Sequence, residues 1–195
     1  MNRFFKSCNR PNNKERDALN TRKYLTELFN SYNLLFRRIM TGRSPNRTQI
    51  KRSFTQSARN LERVLDNYLI DNVAKKITEM LLLEFEYMDK LTMAYKSGRT
   101  ADRRRYIEQL TELYLKFGKL ACLLENKPDC NPGENDLYKI FFNLLIARSN
   151  IIQCVYRSTS CNARYGDQLR ALLNTTQNAL ISFIIDKIIN SCQNL

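Results

Sequence analysis

The sequence predicts an all-α protein, an antiparallel up-and-down helical bundle of about five to six helices with a basic N-terminal arm. Three observations carry that expectation. Apolar residues recur at i, i+3, i+4 spacing over long stretches. No stretch alternates apolar and polar residues as a half-buried strand would. Only 5 glycines and 4 prolines punctuate 195 residues, so turns are few and the elements between them long. A chain of this length, 43% hydrophobic and 26% charged, suits one domain with a real core.

Residues 1–18 are polar and rich in Asn and Arg and read as an arm, leaving 19–195 as a single helical domain. A first helix is predicted over about 20–40, with Leu25, Leu28, Tyr32, Leu35, Phe36 and Ile39 on one face. The TGRSPN segment (41–46) ends it, because Gly42 and Pro45 do not continue a helix. A second helix over about 48–69 carries Ile50, Phe54, Ala58, Leu61, Leu65 and Leu69 as its buried stripe. Asp71 suits the N-cap of a third helix, which reaches about 96 through Val73, Ile77, Met80, Leu81, Met88, Leu91 and Tyr95 and stops at Ser97-Gly98.

Thr100 is placed to cap a fourth helix, marked by Tyr106, Leu110, Leu113, Phe117 and Leu120. KPDCNPG (127–133) is the clearest loop. A fifth helix is expected over about 135–157. A sixth, over about 163–192, is expected on Leu169, Leu172, Leu173, Ala179, Leu180, Ile184 and Ile188. Short turns between long helices make antiparallel neighbours.

This order of helices and turns resembles a family of small all-helical proteins of bacilli and large DNA viruses that has no established activity. The resemblance spans roughly residues 25–190 and rests on LFNSYNLLFRRIM (28–40), LLLEFEYMDKLTMAYKSGRT (81–100), LTELYLKFGKLACLLENKPDCN (110–131) and DQLRALLNTTQNALISFIIDKIINS (167–191). It implies the bundle and a viral source, and no catalytic motif. Where that family tends to place histidines on three helices, this chain has none, so a site built on them is absent here.

The lack of histidine also removes Ser-His-Asp, Cys-His, HExxH zinc and di-iron ExxH chemistry. No Walker-type or GxGxxG loop occurs. Glu84 and Glu86 lie two apart on a helix and do not share a face. Glu108, Glu112 and Lys116 read as a surface charge ladder. No catalytic residue, metal site or cofactor is expected.

Charge is unevenly placed. Residues 1–60 hold 14 Lys+Arg against 3 Asp+Glu, while 61–195 hold 18 against 16. Arg37, Arg38, Arg43, Arg47, Lys51 and Arg52 bracket one helix-loop-helix corner, and Arg103, Arg104 and Arg105 open the fourth helix. Cations at a helix N-terminus oppose its macrodipole, so an anion is expected to offset them. Guanidinium groups fork onto carboxylate and phosphate alike, which makes these residues candidates for an acidic protein surface or a nucleic-acid backbone. A plain solvated surface is the structural alternative.

Phe4 and Phe5, two aromatics in a polar arm, are candidate anchors into a partner groove or a second copy of the chain. The N-terminus lacks the apolar run of about 7–15 residues that a secretory signal needs. No run approaches the ~20 residues of a membrane span. A cytoplasmic origin with free thiols is therefore expected for Cys8, Cys122, Cys130, Cys154, Cys161 and Cys192, with Cys130 and Cys161 the first pair to test for a bond. The function these features favour is a non-enzymatic structural protein, a minor virion component docking on a capsid or other virion protein through its basic N-terminal third. The alternative is a non-specific nucleic-acid-binding module.

Overall fold

A computed structural model of the chain describes residues 13–40, 43, 45–69, 72–124, 139–140, 142–144, 146–148, 150 and 163–190. Five long helices are α1 (Lys14–Met40), α2 (Arg47–Leu65), α3 (Val73–Lys96), α4 (Thr100–Leu124) and α6 (Ala163–Asn190). The described residues between 139 and 150 are all helical and are labelled α5. No β-strand occurs among the described residues. The chain is an all-α bundle in which α1 packs on α2 and α6, α2 on α3, and α3 on α4. No helix among the described residues is long and apolar enough to cross a membrane.

Side-chain bonds fix the helix directions. Tyr68, just past α2, donates its hydroxyl to Asp17 near the start of α1 at 2.9 Å, and Ser57 donates to Glu27 at 2.7 Å. Lys14 at the start of α1 reaches the Ile189 carbonyl near the end of α6 at 3.5 Å. Arg47, the first residue of α2, pairs with Asp89 late in α3. The Tyr68–Asp17, Lys14–Ile189 and Arg47–Asp89 contacts each join the start of one helix to the end of its neighbour, and Ser57–Glu27 joins the middles of α1 and α2, so α1 is antiparallel to α2 and to α6, and α2 to α3.

Helix ends follow local chemistry. α1 begins at Lys14, ahead of the expected position 20: Glu15 and Asp17 in its first turn complement the macrodipole, and Ala18 is buried. Asn46 caps α2, its side-chain oxygen accepting from the Gln49 N–H at 3.1 Å. α2 stops at Leu65, and Asn67 and Tyr68 bond back to Val64 and Leu65 in a tight turn that still buries Tyr68 and Leu69. Asp71, the expected cap of α3, lies outside the described residues; Asn72 precedes the helix in left-handed backbone at φ 59°.

The end of α3 is a Schellman motif. The Arg99 N–H bonds to Ala94 O at 3.1 Å and the Gly98 N–H to Tyr95 O at 3.3 Å, with Gly98 at φ 72°, where a side chain would be strained.

The expected stripes form most of the core. Leu25, Leu28, Tyr32, Leu35 and Phe36 of α1 are buried, as are Ile50, Phe54, Ala58, Leu61 and Leu65 of α2. An aromatic cluster joins three helices: Phe54 and Phe85 stack at 4.3 Å, and Tyr32 meets them edge-on at 5.3 and 5.1 Å. α6 differs. Leu172 and Ala179 are exposed, and the buried face is Leu173, Thr176, Gln177, Leu180, Ile181 and Ile185. This helix is apolar over much of its circumference, so its stripe is set by where α1 lies rather than by the sequence alone.

Cys122, 2% exposed, is disulfide-bonded, and no other cysteine falls within the described residues. The expectation of a packed free thiol at this position is corrected. Irregular cysteine spacing carries no information about which helix ends meet, and that meeting decides whether two Cβ atoms stand close enough to bridge.

Candidate docking face and the clamp beneath it

The arginines singled out from sequence divide into those the fold uses and those it leaves outward. Arg47 pairs with the Asp89 carboxylate and also donates to the Asp89 carbonyl at 3.3 Å. Lys51, one turn later, lies 4.0 Å from Glu86, an exposed pair that contributes little. Glu86 is bound more closely by Lys90 at 2.5 Å; that bond to Lys90 holds its carboxyl below the usual range against a smaller opposing effect of burial. Arg43 is exposed in the loop between α1 and α2, and Arg52 is exposed on α2. Arg37 and Arg38 belong to the last turn of α1, where cations suit the negative helix end; their side chains, like Phe4 and Phe5, lie outside the described residues.

Arg103, Arg104 and Arg105 each have a partner within the chain. Arg103 crosses to the end of α3, donating to the Ala94 and Tyr95 carbonyls at 3.3 and 3.2 Å while its guanidinium lies 4.5 Å from the Tyr95 ring centre. The cation that opposes the dipole of α4 thus satisfies the dipole of α3, because the two helix ends are neighbours. Arg104 bonds to Glu108 at 2.9 Å. Arg105 lies 3.6 Å from Asp102 and donates to the Tyr106 hydroxyl at 2.7 Å. No external anion is required to explain them.

A second set of cations emerges from the α1–α2 pairing. The Ser57–Glu27 and Tyr68–Asp17 bonds set an antiparallel register that places Ile50 beside Leu34 and Ser53 beside Ser31. Between the helices runs an open groove of about 640 Å³, lined by Glu27, Asn30, Ser31 and Leu34 from α1 and by Gln49, Arg52, Ser53 and Gln56 from α2, among others. Helical spacing extends its two walls to Arg16 and Lys23 on α1 and to Arg59 and Arg63 on α2, all exposed.

Along those walls five cations stand against Glu27, which already accepts from Ser57, and Asp66 at the end of α2. Arg16, Arg52, Arg59 and Arg63 make no ion pair among the described residues, and Lys23 sits only over the Tyr24 ring at 5.8 Å. α1 and α2 together hold 11 Lys+Arg against 4 Asp+Glu, whereas α3 holds 4 of each. Along α2, the candidates evident from sequence end at Arg52. Arg59 and Arg63 carried a signal all the same, being 7 and 11 residues on and opposite the stripe of Phe54, Ala58 and Leu61.

Beneath this face lies a buried polar centre. Glu84, 3% exposed, accepts hydrogen bonds from the Tyr32 hydroxyl, from the Tyr114 hydroxyl at 2.8 Å and from the Arg148 guanidinium, itself 2% exposed. Four helices, α1, α3, α4 and α5, supply one group each. Arg148 also lies over Tyr32, its guanidinium carbon 3.7 Å from the ring centre. Burial works against the Arg148 charge, and the adjacent Glu84 carboxylate more than restores it. Burial, reinforced by that same carboxylate, pushes both phenols well above their ordinary range. Glu84 is closed to solvent and three donors already converge on its two oxygens, so it offers a substrate nothing.

No family model, curated protein or solved structure matches this chain.

The raised phenols make a pH prediction. Tyr32 and Tyr114 hold protons more tightly folded than unfolded, so the stability they contribute is whole below the unfolded value of about 10 and is lost as pH rises beyond it. Tyr68, raised by burial and by its bond to Asp17, acts in the same direction. Spectrophotometric titration is expected to show Tyr32, Tyr68 and Tyr114 ionising only together with loss of the helical signal. All ten tyrosines ionising together in a protein that stays folded would contradict the arrangement.

Proposed function

We propose that this protein is a non-enzymatic interaction protein that docks an acidic protein surface on the outer face of α1 and α2. The observation that carries the proposal is the division of its cations. Arg47 and Arg103 to Arg105 have partners within the fold, whereas Arg16, Arg52, Arg59 and Arg63 form outward rows without an ion pair among the described residues. Holding like charges in rows costs stability, and an anionic partner offsets that cost. The chain has no histidine, and its one deeply buried described carboxylate is fully engaged, which supports a binding role over a catalytic one. A place in or on a virus particle fits the resemblance noted from sequence, and a disulfide at Cys122 fits such a setting better than a reducing cytosol.

The second reading, non-specific binding of a nucleic-acid backbone, uses the same rows. A salt series with labelled 20-base-pair duplex DNA separates the two. Five phosphate contacts would give a slope of log affinity against log salt of about −4.5. The docking proposal expects weak binding with a shallow slope, together with salt-sensitive binding of fluorescent poly-glutamate that Arg52→Glu/Arg59→Glu abolishes in a folded protein. Tight duplex binding with the steep slope would replace it with the nucleic-acid reading.

A further inference from the structure

The groove between α1 and α2 has a shape as well as a charge, and together they define its occupant. We infer that it takes an amphipathic acidic helix of a partner protein, laid along the groove as a third helix beside α1 and α2. The inference rests on the docking proposal and specifies what docks.

Three observations converge. The groove floor is narrow-shouldered: Ser31, Ser53 and Ser57 face one another where the helices meet, so a third backbone can approach closely. Leu34, 42% exposed, opens into it and gives an incoming helix an apolar contact. Arg52 lines one wall, and Arg59 and Arg63, both exposed, continue its row along α2 at i+7 and i+11, about 10 Å and 6 Å apart along the axis. A helix lying alongside repeats that spacing with its own carboxylates at the same intervals, so every cation meets an anion without distortion. An extended peptide, rising about 3.3 Å per residue with side chains alternating in direction, has to twist to match the row.

The polar lining completes the fit. Asn30, Gln49 and Ser53 offer donors and acceptors to the polar flank of an incoming helix, while Gln56 is turned toward Asn60 at 3.1 Å. Apolar residues of the incoming helix then face Leu34 and its acidic residues face α2, the helix-in-groove mode of recognition.

The test uses the full chain and two synthetic 18-residue peptides labelled with fluorescein. One is an amphipathic helix with Leu on one face and Glu beside it at i, i+7 and i+11. The other has the same composition with proline at two central positions, so it keeps the charge and loses the helix. Fluorescence anisotropy at 50 mM salt is expected to show the helical peptide binding at least tenfold more tightly. Ser53→Trp, which fills the groove and leaves every cation, is expected to weaken it at least tenfold, and Arg59→Glu/Arg63→Glu by as much or more. Circular dichroism confirms that each variant is folded.

Equal binding of the two peptides, or an unchanged affinity in Ser53→Trp, overturns the groove inference. If Arg59→Glu/Arg63→Glu still abolishes binding in that case, the docking face survives as a charged surface alone. Absence of binding to either peptide and to poly-glutamate overturns both.

Discussion

Replacing Arg148 by methionine is expected to destabilise the protein by about 3–5 kcal/mol, the cost of leaving a buried charge without its partner. Glu84 would keep two phenol donors and lose the only cation in contact with it among the described residues, with 3% exposure and no route to water. For a domain of this size that corresponds to a fall in Tm of roughly 6–20 °C. The double variant Glu84→Leu/Arg148→Met removes both charges and is expected to recover a large part of the loss. What it does not recover is the Tyr32 and Tyr114 hydroxyls left without an acceptor, at about 1–3 kcal/mol each. Chemical denaturation of the wild type, both singles and the double measures the coupling directly. If the two single losses simply add in the double, the four groups do not act as a unit.

Removing the disulfide is the second large effect. Cys122→Ala is expected to cost about 2–4 kcal/mol, through the freedom returned to the unfolded chain and the gap left in a site only 2% exposed. The check is a denaturation curve with and without reductant. Reductant should bring the wild type down towards the variant and leave the variant unmoved. A wild type indifferent to reductant, with two more free thiols by titration than the bond permits, would show that Cys122 is not bridged in solution.

Periodicity made the bundle legible because burial on a helix repeats every 3.6 residues, and α2 shows it most plainly, with every expected stripe residue from Ile50 to Leu69 buried. It misled in α6, where apolar residues surround the helix and only the position of α1 selects the buried face. The clamp was visible in part. Glu84 falls on the same stripe as Ile77, Leu81, Met88 and Leu91, and Arg148 follows Leu144 by one turn in a run with few charges. A charge at a core position needs a partner, and two unpaired charges of opposite sign at core positions point to each other. Helix order alone does not bring residues 84 and 148 together.

Arg103 shows the limit from the other side. Read along one helix it opposes the dipole it sits on; its bonds to Ala94 and Tyr95 exist only because a neighbouring helix ends there. The docking rows lie between these cases. Arg52, Arg59 and Arg63 share a face by spacing alone, yet the groove beside that face exists only once Ser57 meets Glu27.

The convergence of four helices on Glu84 also governs when the protein is finished. Arg148 follows Glu84 by 64 residues, so a chain emerging from the ribosome exposes the carboxylate long before the guanidinium that balances it. Until then the first four helices carry an acid that resists being closed in, and the interior stays open to water and to strangers. A shortened chain ending after α4 would therefore be no smaller bundle but an arrested one, prone to clump and easily degraded. The arrival of Arg148 on α5, rather than of the first four helices, is what seals this centre.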